Sequence, residues 1–227
     1  MSAATVLTPP PLPVAIPTGA VTPPPAGVLP QPPAKTGAPV MIASAELFRF
    51  SRADCRALVS LGILPEGDPV ELLDGLLVKK MPKNRPHVIA TRQVQDALGG
   101  VLPAGWSISV QDPVGLDESE PEPDVFVFRG RHRDYPTDHP TAADAPLVVE
   151  VADTSLSRDR TWKRSIYARN GIPTYWIVNL VDRTLEVYSA PVAGEYTQSV
   201  TLTAADRADV VFGGTIVGSV AVAELLP

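Results

Sequence analysis

The stretch whose reading decides the fold is residues 146–176, "PLVVEVADTSLSRDRTWKRSIYARNGIPTYW". Leu147, Val148, Val149, Val151 and Ala152 read as a buried strand, and a glutamate, Glu150, sits among them. "SRDRTWKRSIYARNG" reads as a helix closed by Gly171, and "PTYWIVNL" as the next strand. Strand side chains alternate, so Val148 and Ala152 share the face of Glu150, while Leu147, Val149 and Val151 face the other way. A carboxylate is costly to bury unless something pairs with it or needs it.

Working outward, the elements on both sides complete a sheet. "FSRADCRALVSLGIL" carries Ser51 as an N-cap, Cys55, Leu58 and Val59 at helical spacing, and Gly62 as a stop. "DPVELLDGLLVKKMP" reads as a hairpin turned at Asp74-Gly75. "HVIATRQVQDALGGVL" repeats Val88, Thr91, Val94, Gln95 and Leu98 as a helix. "WSISVQDPVGL", "DVFVF" and "APLVVEVAD" follow as strands, and "RTLEVYSA" pairs with "PTYWIVNL" around "VDR". The end, "ADVVFGGTIVGSVAVAELLP", offers one or two short strands and a terminal turn. The fold class is α/β, a mixed sheet flanked by helices, and on its own it says little about function.

The chemistry lies in acids placed on strands. Asp124 opens "DVFVF" and Glu150 lies within "LVVEVA". If these strands pair, the two carboxylates converge at one sheet edge. Convergent carboxylates plus water make a hard-oxygen site suited to Mg²⁺ or Mn²⁺. The plain alternative is that each acid pairs with an arginine. Lys163 follows Glu150 on the helix that packs back over the strand, where it can reach the carboxylates. Its alternative is an i, i+4 pair with Asp159. As a partly exposed helix lysine, it is expected to contribute little to stability.

Pro123-Asp124, Glu150-Val151, Ser155, Asp159, Lys163, Tyr167, Gly171 and Tyr175-Trp176 together resemble the Uma-two family of restriction-endonuclease-like proteins, within the PD-(D/E)XK nuclease superfamily. "VELLDGLLVKKMP" followed by His87 resembles the family's N-terminal hairpin and the His opening its next helix. "YWIVNLVDRTLEVY" resembles its closing hairpin. The resemblance runs from about Phe48 to Leu226 and implies a restriction-endonuclease-like fold. It implies that Asp124 and Glu150 are metal ligands, that Glu71 completes the site for Mg²⁺ or Mn²⁺, and that Lys163 orients or activates water. His87 matches the family's histidine. The alternatives are that Glu71 anchors its hairpin and that His87 caps its helix. The superfamily places a lysine two residues after the second acid; here that position is Ala152.

Ser155 or Thr154 reads as a cap, and Tyr167, Tyr175 and Trp176 as packing between helix and sheet rather than as base-stacking groups. Of 19 Lys and Arg, 13 lie between Lys79 and Arg169, in groups that flank the acids. Such a rim suits a DNA backbone, although the net charge of -6 does not favour nucleic acid.

Composition bounds the rest. The 227 residues are 44% hydrophobic and 19% charged, enough for one sizeable domain. Residues 1–40 hold 12 of the 26 prolines and read as a disordered tail, able to dock an SH3-like or WW-like protein partner. The domain is expected over residues 41–227. One cysteine, Cys55, permits no internal disulfide. The N-terminus does not read as a signal peptide and no apolar run spans a bilayer, so a cytoplasmic protein with no membrane partner is expected. Strands such as "TLEVYS" offer edges for a homodimer. The function read from all this is metal-dependent hydrolysis of DNA phosphodiesters by an endonuclease. The rival is a non-catalytic nucleic-acid or protein interaction module that keeps the nuclease fold, and Ala152 and the acidic charge speak for it.

Overall fold

In a computed structural model the described residues are 47–65 and 67–227, so the expected tail, residues 1–40, lies outside them. Helix α1 (Arg52–Ser60) starts at Ser51, whose side chain accepts from the Asp54 N–H while the Asp54 carboxylate accepts from the Ser51 N–H. Only Cys55 is buried on it; Val59, read as an inward position, is exposed. Strands β1 (Val70–Leu73) and β2 (Leu76–Lys79) form a separate hairpin. Its two turn residues, Asp74 and Gly75, have φ of 48° and 73°, the doubly left-handed turn that matches strand twist. Helix α2 (Arg85–Gly99) is capped by the Asn84 side chain and buries Ala90, Thr91, Val94 and Leu98. Val88, read as part of that stripe, faces outward.

The central sheet has six strands: β3 (Trp106–Ser109), β4 (Val125–Arg129), β5 (Leu147–Ala152), β6 (Thr174–Asn179), β7 (Thr184–Val192) and β8 (Glu195–Leu202), in that spatial order. Strands β5 and β6 run parallel; every other neighbouring pair is antiparallel. The crossover between β5 and β6 is helical: α3 (Leu156–Arg158), a π-helical turn (Asp159–Lys163) and α4 (Arg164–Arg169). Strand β3 stops at Ser109 because Gln111 turns with φ 61° and Pro113 follows. Strand β8 goes unread in the sequence because most of its side chains are exposed and few are apolar. Its pairing with β7 holds it in place.

The alternation in "LVVEVA" divides two cores. Leu147, Val149 and Val151 pack with Ala90, Val94 and Leu98 of α2, with the hairpin of β9 (Arg207–Phe212) and β10 (Thr215–Ala221), and with Leu225. Val148 and Ala152 pack with Ile166 and Tyr167 of α4, with Tyr175 and with Leu73. Each large side chain so buried contributes about 1.5–3 kcal/mol. Trp176 lies in the first core, on the α2 side, and so does not pack the crossover helix as its sequence neighbours suggest. Tyr167 and Tyr175 do.

Candidate active site

Glu150 stands on the crossover-helix face of β5 and is 4% exposed. The register pairs Val125 with Val149, and one step further sets Asp124 across from Glu150. The Asp124 carboxylate is fixed by the Val151 N–H, which donates to its Oδ2 over 2.9 Å. Gln111 Nε2 donates to its Oδ1 over 3.3 Å. Glu71 arrives from β1 and His87 from the first turn of α2, where the Asn84 side chain accepts from the His87 N–H. Asn84, not His87, caps that helix, and His87 Nε2 lies 3.1 Å from Asp124 Oδ2. Glu71, His87, Asp124, Glu150 and Lys163 line one cavity of about 90 Å³.

Lys163 reaches the acids from the π-helical turn. Its Nζ lies 2.9 Å from Glu150 Oε1 and 3.0 Å from Glu71 Oε2. At 4% exposure it is buried, against the expectation of a partly exposed lysine, because the wide turn directs it under the helix onto the sheet. Among the described residues it makes no ion pair with Asp159. Asp159 is held instead by the Ser155 hydroxyl, which donates to its Oδ2 over 2.6 Å, so Ser155 does not act as a helix cap. The Tyr167 hydroxyl donates to Glu150 Oε1 over 2.7 Å, a polar role that its reading as packing leaves out. Ala152 is buried two residues beyond Glu150 in the apolar part of the same face. The cation beside Glu150 is Lys163, from the crossover helix.

Burial pushes the Glu150 carboxyl up to about 8, against the attraction of Lys163 and with the repulsion of Asp159, Asp124 and Glu71. Burial works against a charged Lys163, but Glu150, Glu71 and Asp159 outweigh it and hold the ammonium above the ordinary lysine value. Taken together, the pair is a firmly cationic lysine beside a carboxyl whose ionisation burial resists. Burial also raises Asp124, yet its hydrogen bond and charge interaction with His87, the Val151 N–H and Lys163 bring it below the usual aspartate value. Asp159 is raised, burial being the main cause.

Both Glu71 oxygens are buried without an aligned hydrogen bond. The Lys163 ammonium at 3.0 Å therefore meets Glu71 through charge rather than through a directed N–H. Among the described residues, no three His, Cys, Asp or Glu side chains converge closely enough to ligate one ion as they stand. The ammonium lies between two of the expected ligands.

The basic rim is partly neutralised. Lys80 pairs with Glu122, Arg160 with Glu186, Arg164 with Glu195 and Arg169 with Asp74. Among the described residues, Lys79, Lys83, Arg85, Arg92, Arg131 and Arg133 make no ion pair with an acid. No helix among them is long and apolar enough to cross a membrane.

No curated protein matches the chain. A crystal structure described as a "putative nuclease belonging to DUF820" from Anabaena variabilis ATCC 29413 superposes with a TM-score of 0.56 at 15% identity. The match covers 74% of this chain and 96% of that one, which shows a shared fold. The model of the Uma2 family, described as "Putative restriction endonuclease", matches residues 57–217, the greater part of the chain and all of the strands and helices that build the cavity. The chain belongs to the Uma2 family.

Proposed function

We propose that the protein is a metal-dependent endonuclease that hydrolyses DNA phosphodiester bonds. The observation that carries this reading is one buried cation, Lys163, set between Glu71 and Glu150 beside Asp124 in a single cavity. Such a cluster is expensive to maintain for stability alone, since apolar residues of similar volume serve a core as well or better. Perturbed, buried ionisable groups in a concave site are the usual mark of chemistry.

The donors suit a hard divalent ion. Asp124, Glu150 and Glu71 are all-oxygen ligands, and the buried Glu71 oxygens lack directed partners. These three would hold Mg²⁺ or Mn²⁺ by drawing together around it, since they do not converge on one point as they stand; when bound the ion supplies polarisation of a phosphoryl oxygen and a more acidic water. The protein's own groups do the rest. Lys163 holds a positive charge at the acids, placed to orient the attacking water and to offset charge developing on phosphorus. Tyr167 and the Val151 N–H fix the Glu150 and Asp124 carboxylates. His87 orients Asp124 from the cavity mouth. The unpaired cations Lys79, Lys83 and Arg85 supply attraction for a phosphate backbone.

We place the catalytic domain at residues 41–227, with the proline-rich segment of residues 1–40 as a separate unit. The test is a cleavage time course on plasmid and on single-stranded circular DNA, with and without Mg²⁺. Wild type is expected to nick only with the ion, and Asp124→Asn to be slower by about 10³-fold or more, the scale of losing a group that stabilises the transition state. Equal cleavage by Asp124→Asn, or no cleavage of any nucleic acid by wild type, overturns the reading and leaves the interaction module as the better one.

A further inference from the structure

A second concavity, of about 380 Å³, opens beside the acid cavity and shares Met81, Thr154, Ser155 and Arg158 with it. Its outer wall is Ser157, Thr161 and Trp162. The proposed hydrolysis uses none of these three. The indole of Trp162 is locked in place because its Nε1 donates to Asp74 Oδ2 over 2.6 Å. Met81 adds apolar surface and is 46% exposed. Arg158 stands at the boundary of the two cavities. Its Nη1 donates to the Lys79 carbonyl over 3.2 Å, and its Nη2 lies 3.9 Å from Glu71 Oε1. Its Nε–H is buried and has no acceptor. The side chain as a whole is 21% exposed, and a phosphate oxygen is a partner that matches its accessible guanidinium edge in charge and geometry.

We propose that this groove is a subsite for one unstacked nucleotide of a single DNA strand. The base and sugar lie against Trp162 and Met81, and the phosphate on Arg158. The inference rests on the nuclease reading and adds the form of the substrate. In a duplex the bases are stacked and paired inward, so only a single-stranded or extruded nucleotide reaches such a groove. Aromatic surface beside a cationic groove is how single strands are held without regard to sequence. The net charge of -6 disfavours the long run of phosphate contacts that a duplex offers.

The test measures binding of a labelled oligonucleotide to the full chain by fluorescence anisotropy, as a single strand and as the matching duplex, without added divalent ion. Wild type is expected to bind the single strand at least about tenfold more tightly. Ser157→Glu places a carboxylate in the groove, and Met81→Ala removes apolar wall. Ser157 and Met81 are both exposed, so both variants are expected to keep the wild-type melting temperature. Single-strand affinity should fall about tenfold in the first and about threefold in the second, with duplex affinity unchanged. Duplex bound as tightly as single strand, or single-strand affinity indifferent to both variants, overturns the subsite. If such a protein still cuts DNA with Mg²⁺, the nuclease reading survives without it. Binding of neither form together with no cleavage removes both.

Discussion

The two faces of β5 differ although their residues alternate along one strand. On one side Leu147, Val149 and Val151 meet Ala90, Val94 and Leu98, and burial alone explains the packing. On the other, Val148 and Ala152 share their face with Glu150, and Lys163, Asp159, Asp124 and Glu71 are buried around that glutamate. The apolar face is a core that any well-fitted set of side chains would supply. The charged face is held by a few directed contacts, each depending on the others: Lys163 needs both glutamates, Glu150 needs Tyr167, and Asp124 needs Val151 and His87. Variants on the first face should therefore cost stability without altering chemistry. Variants on the second should alter chemistry and couple strongly to one another.

The largest effect is expected from Lys163→Met. Removing its ammonium leaves Glu150 buried without a counter-charge and Glu71 with only the Arg158 guanidinium at 3.9 Å, which should cost about 3 kcal/mol or more in urea unfolding. Cleavage by the folded fraction should also fall by about 10²-fold or more. A variant that keeps both stability and rate would reduce Lys163 to a passive neighbour.

On the apolar face, Leu98→Ala should cost about 2–5 kcal/mol, because it opens a cavity beneath α2. Its cleavage rate per folded molecule should match wild type at a temperature where both are folded. A large loss of rate without unfolding would mean that the two faces are coupled.

A smaller effect should appear in the pH dependence of the ion-free protein. Burial raises Glu150 from 4.5 to about 8. Below the lower value both folded and unfolded chains hold the proton, and its contribution to stability is complete. Between the two values the unfolded chain releases a proton that the folded chain keeps, so this contribution is lost as pH rises towards 8. Urea melts in a chelating buffer between about pH 5 and pH 8 should show wild type declining and Glu150→Gln declining less. Parallel profiles would contradict the assignment of the shift to Glu150.

Much of this arrangement is legible in the residues. The Asp74-Gly75 turn shows because both positions need positive φ, and few residue pairs accept that. The parity of "LVVEVA" sorts the two cores because a strand allows only two directions. Glu71, His87, Asp124, Glu150 and Lys163, which the family resemblance groups together, line one cavity. Other features depend on three-dimensional context. The burial of Lys163 follows from a π-helical turn, which leaves no mark in a helical pattern. The hydrogen bond from Tyr167 to Glu150 looks like packing because an aromatic on an inner helix face fits both roles. Trp176 sits opposite Tyr175 because neighbours on a strand must diverge, so the two cannot both pack the crossover helix. Strand β8 has too few apolar residues to show a period. Trp162 shows its use only once the groove beside Arg158 is formed.

If the charged face of β5 holds a divalent cation, the ion must bind there in solution. Calorimetric titration of Mn²⁺ into the full chain, for wild type and Asp124→Asn side by side, tests it most directly. The account predicts saturable binding of Mn²⁺ to wild type, with Mg²⁺ competing, and no binding to Asp124→Asn although that variant stays folded. No heat from wild type, or an unchanged isotherm from the variant, would contradict it.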